Sequence, residues 1–345
     1  MALYSLVRPL AFALDGEAAH RLTIRSLKLA PAGRPAKADP VLKVNVAGLD
    51  FPNPVGLAAG FDKDAEVWRQ MLGFGFGFVE VGTLTPQPQA GNDRPRLFRL
   101  AEDRAVINRM GFNNGGQAAA LARLARRHRN GGIVGVNIGA NKDSPDRIAD
   151  YAAGVRAMLG VADYLTVNIS SPNTPGLRAL QDKGALDALL AAVMEARGVG
   201  PPVFLKVAPD LERQDIDDLA AVAIARKIDA LIVSNTTVSR PVLRSKHREE
   251  TGGLSGAPLK ALALARLRDF RRATGGALPL IAAGGIETAA DAYARIRAGA
   301  SLVQLYSALV YEGPGLARRI ASGLRALMES DGFARLTDAI GTEKP

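Results

Sequence analysis

The 345-residue sequence contains no cysteine, and this absence excludes several kinds of chemistry at once. Disulfide bonds, iron–sulfur clusters, thiolate nucleophiles and cysteine-ligated zinc sites all require that side chain. Aromatic residues make up only 5% of the chain, so the core must consist mainly of Ala, Leu, Val and Ile. The composition is otherwise that of an ordinary globular protein, with 48% hydrophobic and 23% charged residues.

Long apolar runs and the common nucleotide-binding motifs are absent as well. No run reaches the roughly 20 apolar residues that a transmembrane helix needs, and Arg8, Asp15 and Glu17 interrupt any signal-peptide core. We therefore expect a protein that does not span a membrane but that can lie on one. Neither a GxGxxG motif after a strand nor a Walker motif occurs, which argues against Rossmann-type NAD binding and P-loop chemistry.

The chain carries a formal net charge of +10 at pH 7, which favours an anionic partner. Nucleic acid, an anionic lipid surface and a phosphorylated ligand all fit this charge. An Arg-rich proteome would produce the same balance without any such partner, so the charge alone does not choose among these alternatives.

Short apolar runs alternate with helical patterns from residue 55 onward. The runs are near-continuously apolar rather than alternating, which is typical of parallel strands buried on both faces. They occupy residues 55–58, 78–82, 133–138, 164–169, 203–207, 230–234, 279–283 and 302–306. The helical patterns between and after them occupy residues 65–72, 117–129, 146–159, 184–197, 212–227, 258–273, 288–298 and 315–328. Eight such units predict an α/β protein with a (β/α)8 TIM barrel over residues 41–345, in preference to a doubly wound open sheet.

Two connections are too long for plain linkers. Residues 83–116 follow the second predicted strand, and residues 235–257 follow the sixth. Long excursions in a compact domain are usually lids or binding loops. Both connections are predicted to lie at the C-terminal face of the barrel, where this fold places its chemistry.

Residues 1–40 are predicted to form a separate helical unit. A stripe of apolar residues with helical spacing comes first, and Asp15 can then cap a second helix. The stripe consists of Leu3, Leu6, Val7, Leu10 and Leu14. One interpretation is that the helices only pack on the barrel. The other is an interfacial element with apolar residues toward lipid and cations toward the head groups.

Polar residues gather where the predicted strands end. Asn137, Asn168 and Asn235 lie at three such ends, and because asparagine is a poor strand former we expect these side chains to bind a ligand. Residues 284–285 and 306–307 follow the seventh and eighth strands, the usual phosphate site of this fold, although glycines there also serve tight turns. Lys206 lies among apolar neighbours, unlike a solvated surface lysine.

Longer motifs resemble those of class 2 dihydroorotate dehydrogenases, which are quinone-dependent and membrane-associated. The similar segments are residues 60–63, 80–83, 94–99, 108–114, 168–176, 235–237, 252–256 and 284–286, and the resemblance covers nearly the whole chain. It implies oxidation of (S)-dihydroorotate to orotate in de novo pyrimidine biosynthesis, with electrons passing through FMN to a membrane quinone. It also implies that Ser171 is the catalytic base, with the proton relayed through water or a hydroxyl such as that of Thr174.

The resemblance further implies two sets of binding residues and no metal. The substrate set is Lys63, Asn108, Arg109, Met110, Gly111, Phe112, Asn168, Asn173, Asn235 and Thr236. The FMN set is Ala59, Gly60, Phe61, Asp62, Lys63, Thr83, Asn137, Asn168, Lys206, Ser234, Gly256, Gly285, Tyr306 and Ser307. Residues 170–180, with two prolines and a glycine, resemble a lid over the orotate.

The expected partners are dihydroorotate, a quinone entering between the N-terminal helices and an anionic lipid surface, with no nucleic acid. The expected location is the cytoplasmic face of a bacterial inner membrane. Three alternatives stay open. Flavin barrels that reduce uridine in tRNA use a cysteine acid, and soluble dihydroorotate dehydrogenases have cysteine in place of Ser171. A catalytically inactive membrane scaffold is the third, and a colourless protein would favour it.

Overall fold

The computed structural model describes residues 2–128 and 131–343, without the side chains of Ala2, Leu3 and Ser5. The helices are α1 (Ala2–Ala13), α2 (Gly16–Leu29), α3 (Trp68–Gly73), α4 (Gln117–Leu124), α5 (Arg147–Met158), α6 (Lys183–Arg197), α7 (Arg213–Ala225), α8 (Lys260–Thr274), α9 (Ala289–Arg297), α10 (Ser307–Glu312), α11 (Leu316–Ser330) and α12 (Leu336–Ala339). The strands are β1 (Val44–Val46), β2 (Leu49–Phe51), β3 (Val55–Leu57), β4 (Phe78–Leu84), β5 (Leu97–Leu100), β6 (Ala105–Asn108), β7 (Ile133–Ile138), β8 (Tyr164–Asn168), β9 (Val203–Val207), β10 (Ala230–Val233), β11 (Gly253–Gly256), β12 (Leu280–Ala283) and β13 (Ala300–Leu305).

Eight parallel strands close into a barrel in the order β3, β4, β7, β8, β9, β10, β12 and β13, so the predicted (β/α)8 fold is confirmed. Every predicted barrel strand is present and differs by no more than a few residues at its ends. Helix α4 is shorter than the predicted 117–129, since it ends at Leu124, and position 129 lies outside the described residues.

Aromatic rings fill the N-terminal part of the barrel interior. Phe78 and Tyr164 make an edge contact, and Tyr164 stacks on Phe204 with 4.5 Å between ring centroids. Glycines on β3 and β7 make room for these rings, because a Cβ atom would lie 2.1 Å from the Phe78 ring on Gly56 and 2.0 Å from the Tyr164 ring on Gly135. The aromatic layer closes this end of the barrel and leaves the C-terminal end open for a site.

The two long connections are not plain loops, because they combine into a three-stranded antiparallel sheet in the order β11, β6, β5. Strands β5 and β6 come from residues 83–116, whereas β11 comes from residues 235–257. The sheet has a hydrophobic cluster of its own, formed by Phe98, Leu100, Ala105, Ile107, Leu243 and Leu254. The C-terminal face is therefore covered by a folded cap rather than by independent lids.

The cap holds the two N-terminal helices. Asp15 caps α2 as predicted, by accepting a hydrogen bond from the backbone N–H of Ala18 at 2.9 Å. Glu17 is buried and pairs with both Arg94 and Arg96, whose guanidinium groups lie 2.9 Å away. The helix pair is therefore fastened to the segment that leads into β5.

The outer surface of the helix pair exposes several large apolar side chains. They are Leu6, Val7, Leu10, Leu14, Leu22 and Leu29, and Leu6 and Leu10 are more than two-thirds exposed. Leu3 belongs to the predicted stripe, but its side chain lies outside the described part of the chain. Within residues 2–128 and 131–343, no helix is both long and apolar enough to cross a membrane.

Candidate active site

A cavity of about 460 Å³ opens at the C-terminal end of the barrel and continues beneath α1 and α2. Such a volume suits a cofactor or a small ligand. Most of the predicted site residues line it: Ala59, Gly60, Phe61, Lys63, Thr83, Asn108, Met110, Gly111, Phe112, Asn168, Ser171, Asn173, Lys206, Ser234, Asn235, Thr236, Gly256, Gly285, Tyr306 and Ser307. The same cavity is lined by Phe12 and His20 of the N-terminal helices.

Three predicted site residues do not line this cavity. Arg109 turns away from it, pairs with Glu250 at 2.8 Å and stacks over the ring of Phe98. The Asp62 carboxylate accepts hydrogen bonds from the backbone N–H groups that precede α3, and burial raises its pKa to about 6. Asn137 lies behind the residues that line the cavity and accepts a hydrogen bond from one of them, Thr83. These residues support the site from outside the cavity.

Amide and hydroxyl groups at four strand ends form one connected network. Asn137 Oδ1 accepts hydrogen bonds from Thr83 Oγ1 at 2.6 Å and from Asn168 Nδ2 at 3.2 Å. Asn168 Oδ1 in turn accepts one from Ser170 Oγ at 3.0 Å, and Asn235 Nδ2 donates to Ser170 Oγ at 2.9 Å. Because each side chain fixes the next, the polar lining is rigid before any ligand arrives.

A buried carboxylate that the sequence did not single out as a site residue lies beneath this network. Glu80 is completely buried, and it accepts hydrogen bonds from Asn137, Tyr164, Thr166 and Gln304 at 2.7 to 3.1 Å. These four donors come from three other barrel strands, so the carboxylate joins the strands at the floor of the cavity. A buried charge is tolerated only when it is hydrogen-bonded or paired in this way.

Lys206 supplies a positive charge at the same level of the barrel. It is buried, it lines the cavity, and its ammonium forms no hydrogen bond or ion pair of 4.0 Å or less within the described residues. Burial lowers its pKa, whereas the charge of Glu80 acts in the opposite direction. Gln304 Oε1 is also buried without a hydrogen-bond partner among the described residues. Both groups are available to a polar ligand.

Ser171 is buried beside the residues that the sequence predicted as substrate ligands. Its Oγ accepts a hydrogen bond from the backbone N–H of Asn173 at 3.3 Å, and Asn173 Nδ2 donates to Asn108 Oδ1 at 3.2 Å. Thr174 Oγ1 is buried and has no hydrogen-bond partner among the described residues. A serine hydroxyl and a second hydroxyl three residues later are therefore both present in this part of the lid.

Two basic side chains lie where the cavity passes beneath α2. Burial and the nearby Arg96 guanidinium lower the pKa of Lys63 to about 8, against the opposing charges of Asp64 and Glu17. Burial and the Lys63 charge lower the pKa of His20 to about 4. At neutral pH the His20 imidazole is therefore uncharged, while most Lys63 side chains keep their charge.

Aromatic rings connect the helical part of the cavity with the barrel part. The centroid of Phe61 lies 5.4 Å from that of His20 and 5.9 Å from that of Tyr306, with edge-to-face geometry in both contacts. Phe61 and Tyr306 belong to the predicted cofactor set, whereas His20 was not predicted. The sequence around a single histidine on an amphipathic helix does not indicate a binding role, because that role depends on what α2 packs against.

The predicted phosphate site lines the same cavity, through Gly256, Gly285, Tyr306 and Ser307. Gly285 has a φ of +68°, and a Cβ atom there would lie 2.4 Å from the backbone of Lys260, so the chain itself requires glycine at this position. Ser307 Oγ donates to Ser255 Oγ at 2.7 Å, which joins the end of the barrel to strand β11. The tight turn at Gly285 and the hydroxyl groups of Ser255 and Ser307 therefore all line the predicted phosphate site.

Fold and site together define a (β/α)8-barrel enzyme with a cofactor-sized cavity at its C-terminal face. The family model described as dihydroorotate dehydrogenase matches residues 41–328. Two curated proteins named dihydroorotate dehydrogenase (quinone) are similar over almost their whole length. The one from Erythrobacter litoralis is 65% identical over 342 residues, which are 99% of this chain and 100% of the relative. The one from Sphingopyxis alaskensis is 67% identical over 344 residues, which are 99% of this chain and 97% of the relative.

Solved structures give the same result. The crystal structure of DHODH from Eimeria tenella in complex with ferulenol has a TM-score of 0.90 and 43% identity, covering 94% of this chain and 95% of that one. The ligand-free form from the same organism has a TM-score of 0.91 and covers 96% of this chain. The chain belongs to the dihydroorotate dehydrogenase family, whose members are flavoenzymes.

Proposed function

We propose that the cavity binds FMN, dihydroorotate and a quinone, with Ser171 as the catalytic base. The activity is oxidation of dihydroorotate to orotate with a quinone as electron acceptor, a step of pyrimidine biosynthesis. The observation that supports the proposal best is the continuity of the cavity. Ser171 and Asn173 line one part of it, and Phe12 and His20 of the N-terminal helices line another. Both half-reactions therefore have access to one cofactor.

FMN fits the groups that line the barrel part of the cavity. Among the described residues neither the Lys206 ammonium nor Gln304 Oε1 has a hydrogen-bond partner, both side chains are buried, and a polar ring that meets them would offset the cost of their burial. Gly285, Tyr306 and Ser307 would hold the phosphate. The chemistry that bound FMN would supply is acceptance of the hydride from C6 of dihydroorotate and transfer of the two electrons to the quinone.

The substrate residues would orient the dihydroorotate ring in the cavity. Asn108, Asn173, Asn235 and Thr236 present amide and hydroxyl groups to the cavity. Ser171 takes the proton from C5. Its hydroxyl is a weak base, so the proton must move on, and we propose Thr174 as the next hydroxyl because its Oγ1 is buried and unpartnered in the described structure.

The quinone end lies between the helices and the cap. Phe12, Ala19 and Leu309 give this part of the cavity an apolar lining, and His20 and Arg99 add polar groups. Because the pKa of His20 is held near 4, the ring is neutral, and its one N–H group can donate a hydrogen bond to a quinone carbonyl. An apolar passage with few polar groups suits a hydrophobic ring that carries two carbonyls.

The same helices provide a surface for a membrane. Leu6, Leu10 and Leu22 are more than half exposed on the helix pair, and Arg21 and Arg25 are exposed near them. We propose that this face, residues 1–29, lies on anionic lipid at the cytoplasmic side of a bacterial inner membrane. Residues 1–40 would thus form the membrane and quinone element, and residues 41–345 the FMN-binding barrel.

Anaerobic stopped-flow spectroscopy tests the two half-reactions separately. Dihydroorotate should bleach the yellow absorbance of the purified protein, and a short-chain quinone should restore it where fumarate and NAD do not. Ser171→Ala should slow the bleaching severely with FMN still bound, and unchanged bleaching would exclude Ser171 as the base. His20→Ala is the matched control at the opposite end of the cavity. It should leave the bleaching intact and raise the quinone concentration needed for recovery.

Vesicle sedimentation tests the membrane surface. The protein should bind vesicles that contain anionic lipid more strongly than zwitterionic vesicles, and added salt should weaken the binding. Replacing Leu6 and Leu10 with serine should release the protein from the vesicles, because about 0.8 kcal/mol of binding free energy is lost for each CH₂ group withdrawn from the lipid. The same replacement at exposed Val199 and Val242 is the control, and equal release there would refute a specific surface on the helices.

A further inference from the structure

Asn92 connects two segments of the substrate pocket, although it does not line the cavity itself. Its Nδ2 donates to the carbonyl of Arg109 at 3.0 Å and to the carbonyl of Asn173 at 2.9 Å. Its Oδ1 accepts a hydrogen bond from Lys142 Nζ at 3.2 Å. Two carbonyls on one side and an ammonium on the other fix the orientation of the amide.

The first segment runs through Arg109 and Gly111, and the Asn92 side chain packs directly against it. A Cβ atom on Gly111 would come within 2.8 Å of Asn92 Cγ, so the two residues are in close contact. The backbone N–H of Asn92 also donates to the carbonyl of Met110 at 3.1 Å. Because Met110 and Gly111 line the cavity, Asn92 supports the pocket wall from behind.

The second segment is the lid, residues 170–180. Its carbonyls at Ser170 and Pro175 accept hydrogen bonds from Arg178 at 3.2 Å and from Arg147 at 2.7 Å. The carbonyl of Asn173 lies between them and accepts from Asn92. Asn173 is the lid residue whose side chain lines the cavity and reaches Asn108. Asn92 therefore binds the backbone of Asn173, a residue that is predicted to bind the substrate, and helps to fix the position of its side chain.

Asn92 is itself held firmly. Arg96 donates to the carbonyls of Asn92 at 2.5 Å and Ala90 at 2.7 Å. The other nitrogens of this buried guanidinium pair with Glu17 of α2, at 2.9 Å in two contacts. Because Arg96 is fixed by a buried bidentate ion pair, the Asn92 backbone that it binds has little freedom to move with the lid.

We propose that Asn92 is a positioning residue that ties the lid to the pocket wall and so holds the lid closed over bound orotate or dihydroorotate. The proposal rests on the proposed function of residues 170–180 as a lid. Asn92 contributes one neutral hydrogen bond of ordinary strength to the lid and another to the pocket wall. Their loss should speed opening and weaken ligand binding by about 10- to 30-fold.

Asn92→Asp tests this in the FMN-bound enzyme, since it preserves shape and the contact with Lys142 but removes both donors. We expect the dissociation constant of orotate, followed by its effect on the flavin spectrum, to rise about 10- to 30-fold, chiefly through faster dissociation. The KM for dihydroorotate should rise in parallel. Recovery of the yellow colour with quinone should not change, because that step uses the other end of the cavity.

Lys142→Met is the matched control, because it removes only the contact to Oδ1 and leaves both donors in place. It should change orotate dissociation by less than about threefold, as expected for a partly exposed contact. If Asn92→Asp does not fold or retain FMN, Asn92→Ala removes the same donors without adding a charge. An unchanged orotate dissociation rate in a folded Asn92 variant would overturn the proposal. A wild-type protein that dihydroorotate does not bleach would instead refute the proposed function.

Discussion

Lys63 gives the sharpest quantitative prediction, because its charge should disappear within an accessible pH range. The side chain lines the cavity, and its pKa is lowered from 10.5 to about 8. Burial is the main cause, the Arg96 guanidinium adds to it, and Asp64 and Glu17 oppose it. The ammonium is therefore present below about pH 8 and is lost as the pH rises through that value. Orotate carries a carboxylate, so its affinity should fall in the same direction.

The size of the effect follows from the pKa. One pH unit above the pKa, about one site in ten is still protonated, which corresponds to roughly 1.4 kcal/mol and a tenfold weaker apparent affinity. Below the pKa by one unit, about nine sites in ten are charged and the affinity should be nearly constant. We therefore expect the dissociation constant of orotate to rise about tenfold between about pH 7 and about pH 9.

Titration of the flavin spectrum with orotate at each pH measures this directly. Lys63→Met should bind orotate weakly already at about pH 7 and should lose no further affinity through this side chain. Any effect of orotate's own ionisation is the same for both proteins, so it cancels in the ratio of their dissociation constants. Lys63→Arg keeps its charge throughout the range and should remove the pH dependence. A wild-type affinity that stays flat, or that falls as steeply in Lys63→Met, would refute the assignment of the charge to Lys63.

Three further predictions concern the framework of the site and are measured by chemical denaturation. Gly135→Ala should lower the free energy of unfolding by about 3 kcal/mol or more, because its Cβ would overlap the Tyr164 ring at 2.0 Å. Glu17→Gln should cost about 3 kcal/mol by leaving Arg96 buried without its carboxylate partner. It should also remove the Glu17 contribution to the loss of stability expected of the wild type as pH falls from 4.5 toward the Glu17 pKa of about 2. Glu80→Gln should cost about 2 to 4 kcal/mol, because an amide cannot accept from all four donors; unchanged stability would exclude the carboxylate as their anchor.

The barrel could be predicted from the sequence because its signals are local. Strands buried on both faces are near-continuous apolar runs, such as residues 203–207, where Lys206 is the single charged residue, and residues 230–233, and each run is followed by a helical pattern. A boundary error such as that of helix α4 reflects the weakness of local signals at the end of a helix, where tertiary contacts decide how many turns form.

The cap could not be predicted in the same way, because its pairing is not local. Strand β6 pairs with β11, which lies more than 140 residues later, and Asn108 stands opposite Gly253. Both segments contain glycine, short strands and charged residues, so each one alone is typical of a loop. Only the closed barrel brings the two connections to the same face, and only then does their shared apolar cluster become buried.

Motif resemblance identified most of the residues around the cavity but not the direction in which each side chain points. Arg109 lies between Asn108 and Met110, which both line the cavity, yet its own guanidinium reaches Glu250 on the outside. Successive residues of an extended chain point to opposite sides, so a run of consecutive motif residues cannot all contact one ligand. Asn92 shows the converse, because it lies outside the lining yet binds two segments of the pocket.

The hydrogen-bond partners of Glu80 could not be predicted from the pattern of the strand that contains it. In the sequence it is a single charged residue within an apolar strand, and nothing near it in the chain offers a partner. Its four donors stand at Asn137, Tyr164, Thr166 and Gln304, which meet only when the barrel closes. A fully buried carboxylate with neutral donors is costly compared with a packed apolar layer. Its place beneath the cofactor cavity offers a reason for that cost, since the same carboxylate orients Asn137 and opposes the charge of Lys206.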